Sequence, residues 1–313
     1  MLACCCMIRT SASAEQFPSR VVKFLVPQAA GGATDVFARK LAQMLSERWG
    51  QPIIVENRAG AAGVLGTDVV AKSAADGYTL LVTYAGSQAV NPSLYPNLVD
   101  SVKDFQPIAT LARTPFLLVV NPKLPAKDLR EFIALARQKP GILTFASSGI
   151  GSVNHLLGEM LKVQAGINIL HVPYRGVAPA IADVIARHVD SAFSSVPSVL
   201  GSIGGGQVRA LAVSSAKRVA VAPGVATIAE SGFPGFDVNP WWGILAPART
   251  DTAVVRMINA DVNELLQDKD LIDFLATQGA EPFATSPEGF LAILKSDVEK
   301  WAKVIKAADV KLN

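Results

Sequence analysis

The sequence is short of the residues on which much enzyme chemistry is built. Its three cysteines, Cys4, Cys5 and Cys6, all lie in the first six residues, and none follows from Met7 to Asn313. A body without cysteine excludes disulfides, thiolate catalysis and cysteine-ligated metals together. It fits an oxidising compartment without being diagnostic of one. Histidine occurs three times, as His155, His171 and His188, none with an acid partner recognisable in the sequence. H-E-x-x-H and Walker A are missing, and Gly149-x-Gly151-x-x-Asn154 lacks the third glycine of a dinucleotide loop. Phe145-Ala146-Ser147-Ser148-Gly149 is not the G-x-S-x-G of a hydrolase elbow. No catalytic residue, no metal and no cofactor is expected. Charge is also sparse: 18% of residues are charged and the net charge is +3, without basic blocks. That composition excludes a nucleic-acid groove. Beyond the N-terminus no segment approaches the ~20 apolar residues of a membrane span, so the mature protein is expected to be soluble.

What is present is apolar bulk and glycine. Half of the 313 residues are apolar, enough for two domains of ordinary size with sizeable cores. Two glycine-rich loops each sit between an apolar strand and a helix. The first, Pro27-Gln28-Ala29-Ala30-Gly31-Gly32-Ala33-Thr34-Asp35, follows the run from Val21 to Val26. The second, Ser147-Ser148-Gly149-Ile150-Gly151-Ser152-Val153-Asn154-His155, follows Ile142 to Ala146. A helix start leaves backbone N–H groups unpaired and carries roughly half a positive charge, so it attracts anions. One such loop is weak evidence; two in matching places suggest an anion gripped from both sides.

The rest of the chain repeats one plan. After the first loop, Phe37, Leu41, Leu45 and Trp49 make a helical stripe over Val36 to Trp49, and a strand begins at Pro52. Asn57-Arg58-Ala59-Gly60, a small-residue helix over Gly63 to Ser73, and the strand Tyr78 to Thr83 follow. From Ile142 the order recurs: a helix over His155 to Gln164, a strand over Ile167 to Val172, Tyr174-Arg175-Gly176, a helix containing Asp183, and a strand near Asp190 to Ser194. The pattern predicts an α/β fold of two Rossmann-like lobes joined by a two-crossover hinge. Phe116 to Val120 and Gly243 to Ala246 are the candidate crossings, and amphipathic helices from Thr252 onward are expected to pack back on lobe one. The expected division is 15–113 with 241–313 as lobe one and 114–240 as lobe two. Residues 1–14 read as the remnant of an export signal: an apolar stretch to Ile8, then Ala12-Ser13-Ala14 as a cleavage site before Glu15. The basic leader expected of such a signal is missing, which points to a start further upstream.

These residues resemble the extracytoplasmic solute-binding receptors of tripartite tricarboxylate transporters, the Bug family. The resemblance runs from Phe17 to the C-terminus. It is carried by Pro27-x-x-x-Gly31-Gly32-x-x-Asp35-x-x-Ala38-Arg39, Val55-Glu56-Asn57-Arg58-x-Gly60 and Asp76-Gly77-Tyr78-Thr79-Leu80. Gly149-x-Gly151-Ser152-x-x-His155-Leu156, His171-Val172-Pro173-Tyr174-x-Gly176 and Trp241-x-Gly243-x-x-Ala246-Pro247 add to it. It implies a periplasmic receptor of periplasmic-binding-protein (type II-like) architecture, expected as a monomer, that closes on a small organic carboxylate and presents it to membrane permease subunits. It also implies that one ligand carboxylate is held by the two glycine loops, largely through backbone amides and water. Gln28 stands where the family often has an aromatic residue, and Arg175 where it often has lysine. A receptor feeding a sensor in place of a permease is the alternative readout, and a cryptic enzyme the remote one.

The candidate ligand residues follow from this. In loop one the backbone of Gln28, Ala29, Ala30, Ala33 and Thr34 is the candidate surface. Asp35 reads first as a helix cap, because a carboxylate facing an anion needs a donor between them. In loop two Ser147, Ser148, Gly149, Gly151 and Ser152 offer hydroxyls and amides, and His155 is equally a structural residue or a contact. Arg175, after Tyr174, is either a fork for a carboxylate or a solvated charge; Arg58 is the weaker parallel in lobe one. Asp183 needs a partner if buried. Tyr84 and Ser87 follow a strand end, where α/β sheets bind ligands, and Trp241 and Trp242 read as hinge core.

Overall fold

The apolar run after residue 21 forms a strand buried on both faces, β1 (Val22–Val26), and the chain alternates from there. The computed structural model describes residues 17–95 and 99–311; the expected signal segment, 1–14, lies outside them. The first unit continues with α1 (Ala33–Trp49), β2 (Ile53–Asn57), α2 (Val64–Ala71), β3 (Thr79–Tyr84) and β4 (Phe105–Arg113). The second comprises β5 (Phe116–Val120), α3 (Leu129–Gln138), β6 (Thr144–Ser147), α4 (Val153–Ala165), β7 (Leu170–Pro173), α5 (Val177–Ala186), β8 (Ser191–Ser195), α6 (Val196–Gly204) and β9 (Arg209–Val213). The tail is β10 (Trp241–Pro247), α7 (Thr252–Leu265), α8 (Lys269–Thr277), β11 (Glu281–Pro282) and α9 (Pro287–Ala307). Helices α1 and α4 start earlier than their apolar stripes predict, because alanine, threonine and asparagine in the first turn are helical without being apolar. Gly50 and Gly166 end these helices in the left-handed conformation that glycine adopts without strain.

Two sheets result, and their orders match. The first runs β2-β1-β3-β10-β4-β11, the second β7-β6-β8-β5-β9. In each, three strands are parallel with the glycine-loop strand in the middle, and an antiparallel strand that has just crossed from the other sheet lies beside them. The order in which successive strands are added reverses beside β1 and beside β6. These are switch points, where an α/β sheet opens a crevice outside its strand ends. Register brings both crevices to one place. Tyr84 at the end of β3 pairs with Trp242 at the start of β10, and Ser195 at the end of β8 pairs with Phe116 at the start of β5.

The two crossing segments lie side by side. Thr114 N–H donates to the Pro240 carbonyl at 3.2 Å, and the Ser214 hydroxyl donates to the Val238 carbonyl at 2.6 Å while accepting from Phe116 N–H at 2.8 Å. Trp241 and Trp242 are buried hinge residues. The tail does more than return to the first sheet. Helix α9 packs on β4 and also on α4, and its Phe290, Leu294 and Trp301 belong to one apolar cluster with Leu81, Phe145, Leu157 and Trp241. Asp297 of α9 accepts from the Trp241 indole at 2.8 Å. A sequence pattern shows which helix face is apolar but not which sheets that face spans.

Candidate functional site

In loop one the chain leaves β1 through buried Pro27 and half-buried Gln28 and then exposes Ala29, Ala30, Gly31 and Gly32. Gly31 has φ +80°, which favours glycine. Helix α1 starts with Gly32 as its N-cap, φ −77° and ψ 166°, and no side chain caps it. The Gly32 carbonyl accepts the first helical bond, from Val36 N–H at 3.0 Å, so the amides of Ala33, Thr34 and Asp35 have no acceptor within the helix.

Buried Asp35 ties the loop to the helix through its carboxylate. Its Oδ2 accepts from Gly31 N–H at 2.8 Å and from Arg39 Nε at 3.1 Å. Arg39 continues to Asn57 Oδ1 at 3.1 Å, and Asn57 Nδ2 donates to the Gln28 carbonyl at 3.2 Å. Burial alone would raise the Asp35 pKa, but Arg39, the Gly31 N–H and Asn57 outweigh it and hold the carboxyl below its usual range. The Thr34 hydroxyl accepts from the buried Trp242 indole at 3.0 Å, and Trp242 stacks on Tyr84 with centroids 6.2 Å apart. The start of α1 is thereby fastened to the hinge strand. Burial, with Tyr95 adding, pushes the Tyr84 phenol up to about 12, so it stays neutral.

Under loop one, Gln28 Nε2 donates to Ser87 Oγ at 2.8 Å, and Ser87 Oγ and Asn91 Nδ2 donate to the Ala62 carbonyl at 3.3 and 2.9 Å. A Cβ at Gly63 would stand 2.8 Å from Ser87 Oγ, so only glycine fits this close approach. Ser87 lies in a π-helical turn, Gly86–Val90, that no sequence signal marked. The Gln28 Oε1 and Gln88 Oε1 carbonyls are buried without a partner among the described residues.

Loop two looks similar in sequence and is bonded differently. The Ser152 hydroxyl caps α4, accepting from His155 N–H at 3.3 Å, and donates to the Gly149 carbonyl at 2.6 Å. Gly151 N–H donates to His155 Nδ1 at 3.1 Å, and Gly149 N–H donates to Ser147 Oγ at 3.1 Å. Ser148 Oγ donates to Asn154 Oδ1 at 2.7 Å, and Ser147 Oγ lies 2.6 Å from His171 Nε2. The loop hydroxyls are therefore engaged within the loop and its support.

Two histidines do have acid partners that the sequence did not reveal: His155 Nε2 lies 3.7 Å from Glu159 Oε1, and His188 Nδ1 3.1 Å from Asp183 Oδ1. Asp183 also accepts from the Tyr174 hydroxyl at 2.6 Å. These partners lower the Asp183 pKa, while burial and then Asp183 itself push the Tyr174 phenol up to about 12. The parallel arginines diverge. Arg58 pairs with Glu56 at 2.5 Å, whereas Arg175 is exposed and has no ion pair or hydrogen bond among the described residues. No cluster of three histidine, cysteine, aspartate or glutamate side chains among the described residues could hold a metal ion. Among the described residues, the arrangement leaves the helix-start amides of α1 without a helical acceptor and the Arg175 guanidinium without a partner.

Comparison with known proteins agrees in sequence and in shape. Residues 37–310 match the family described as "Tripartite tricarboxylate transporter family receptor". Protein BugT of Bordetella pertussis is 39% identical over 307 residues, covering 97% of this chain and 94% of the relative. The structure of Rpa4515 from R. palustris with adipate superposes with a TM-score of 0.86 at 35% identity, over 94% of this chain and 99% of that one. MatC from Rhodopseudomonas palustris, with bound malate, gives 0.81 at 32% identity, over 92% and 100%.

Proposed function

From the premise that this chain belongs to the tripartite tricarboxylate transporter receptor family, we propose that it captures a small organic carboxylate in the periplasm between two lobes and delivers it to the membrane permease. Lobe one is 15–113 with 241–313, lobe two is 114–240, and the working unit is a monomer exported through a cleavable signal. The observation that carries the reading is the uncapped start of α1, with Gly32 as N-cap and Ala29 to Gly32 exposed. A carboxylate there accepts from the amides of Ala33 and Thr34 and lies in the positive end of the helix dipole, an interaction of ~1 kcal/mol per helix end in the open. Closure brings loop two and Arg175 to the other side and excludes water, which strengthens each of these attractions. No helix among the described residues is long and apolar enough to cross a membrane, in keeping with a partner that supplies the membrane path.

Relatives bound to adipate and to malate support an aliphatic dicarboxylate as the first class to try. Gln28, with its unpartnered Oε1, is placed to sort among such acids. Thermal unfolding against adipate, malate, other organic acids and the corresponding amides tests the proposal. Binding to the folded state adds roughly 2.7 kcal/mol at a hundredfold excess over Kd. A rise in Tm with acids and none with amides is expected; no rise with any acid, after refolding to strip carried-over ligand, overturns it.

A further inference from the structure

Beneath loop two, three flat rings are stacked, one from each neighbouring element. Phe145 of β6 lies 4.9 Å from His171 of β7, and His171 lies 3.8 Å from His155 of α4, centroid to centroid. Both imidazoles are wired to the loop. His155 Nδ1 accepts from Gly151 N–H, and His171 Nε2 meets Ser147 Oγ, which accepts from Gly149 N–H. The Gly149 and Gly151 amides, which hold the loop in shape, are thus anchored to the imidazole pair, one directly and one through a hydroxyl.

This wiring fixes a protonation state. A nitrogen that accepts an N–H must carry its lone pair, so the His155 proton sits on Nε2, toward Glu159. A second proton on Nδ1 would set two donors against each other across 3.1 Å. Charging both rings would place two cations face to face. The charged groups around the pair are Glu159, which favours a proton on it, and Lys162, which holds Glu159 at 2.8 Å and opposes one.

We infer that His155 and His171 are positioning residues that make the grip of loop two proton-linked. With both rings neutral, loop two keeps the shape that meets a carboxylate; a proton taken up by the pair releases Gly151 and loosens the grip. Burial, and next the adjoining His155 ring, hold His171 down to about 4, so the His171 ring is neutral near neutrality. The inference rests on reading loop two as part of the ligand site.

The test is nitrogen-15 NMR of the full chain, without ligand, from about pH 8 to pH 4.5, on the wild type, His155→Asn and His171→Phe. In the wild type, His155 should be the Nε2–H tautomer. The Gly151 amide should follow the imidazole titration with the same midpoint and lose roughly tenfold in exchange protection. His155→Asn keeps an acceptor for Gly151 that cannot titrate, so its Gly151 amide should stay flat. His171→Phe keeps the stack and removes one imidazole of the pair, leaving His155 on the Gly151 amide. A His155 proton on Nδ1, or a Gly151 amide indifferent to the imidazoles, overturns the inference. A ligand arm compares affinity at pH 7.5 and pH 5 for whichever of malate or adipate raises Tm. The wild type should lose about fivefold more than His155→Asn, a comparison that cancels the titration of the acid itself. If no acid raises Tm while Gly151 still tracks the imidazoles, the receptor reading falls and the wiring of loop two stands.

Discussion

Loop one and loop two occupy the same place in sheets of the same order, yet they satisfy their amides in opposite ways. Loop one leaves the start of α1 uncapped and ties itself down through Asp35, Arg39 and Asn57. Loop two caps α4 with Ser152 and anchors its glycine amides on Ser147 and His155. The first leaves its helix-start donors without a helical acceptor; the second is a closed turn, and in the function proposed above its shape and Arg175 complete the ligand site. Similar glycine patterns can thus divide the work, one loop supplying charge and the other supplying form.

The sharpest way to break this asymmetry is Gly32→Asp. The N-cap backbone there is extended, and a Cβ would meet only the Ala29 carbonyl, at 3.5 Å, so the residue fits. Its carboxylate would cap α1 and occupy the donors meant for the ligand. Affinity should fall by about 100-fold while Tm holds or rises slightly, since glycine to aspartate at an N-cap gains a few tenths of a kcal/mol. Ser152→Ala is the mirror image: it should cost about 1 kcal/mol of stability and leave affinity within a few-fold. Calorimetric titration and urea unfolding of both proteins check this. Equal effects on the two loops would sink the division proposed here.

A second contrast is smaller. Arg175→Ala should weaken binding by roughly tenfold at unchanged stability, the loss of one charge-assisted contact. Arg58→Ala removes an exposed pair with Glu56 and should leave both affinity and Tm nearly unchanged. If Arg58→Ala costs as much affinity as Arg175→Ala, the resemblance between the two segments is functional and not merely topological.

How much of this was legible beforehand follows the range of the interactions. The α/β alternation and the two glycine loops are local patterns, and the sequence displays them directly. The sheet order extends that reading: strands flanking each loop are parallel because helices connect them. Side-chain partners were harder. Asp35 is expected to cap α1, but the N-cap is Gly32 and no side chain caps it; Asp35 instead accepts from Gly31 N–H, and its route through Arg39 to Asn57 crosses to β2. His171 belongs to a motif of the resemblance, but its partners lie on β6 and α4 and meet it only when the sheet forms. The His155–Glu159 pair stands at i,i+4 on α4, a spacing that permits contact without showing that the two side chains meet. The engagement of the Ser147, Ser148 and Ser152 hydroxyls within the loop could not be read from composition, which shows donors but not whether they are free.

The smallest effect separates the two halves by pH. All three histidines lie in the second half: His155 in α4, His171 in β7 and His188 in the turn between α5 and β8. His171 is held down to about 4 from an ordinary value of 6.5 by burial and by His155, so between these values the unfolded chain binds more protons than the folded one. Stability from the neutral ring is therefore complete above about 6.5 and declines as pH falls toward 4. In the first half Asp35 is displaced downward from 3.8, so its contribution is lost only at lower pH still. Asp297, raised by burial, works in the opposite sense: the folded state takes up its proton more readily, and α9 gains stability as pH falls. Amide exchange from about pH 7 to pH 4.5 should show protection declining first around β6, α4 and β7, while β1 and α1 hold. His171→Phe should lessen that early decline, and a decline that begins in α1 would mean that loop one, not loop two, responds first to acid.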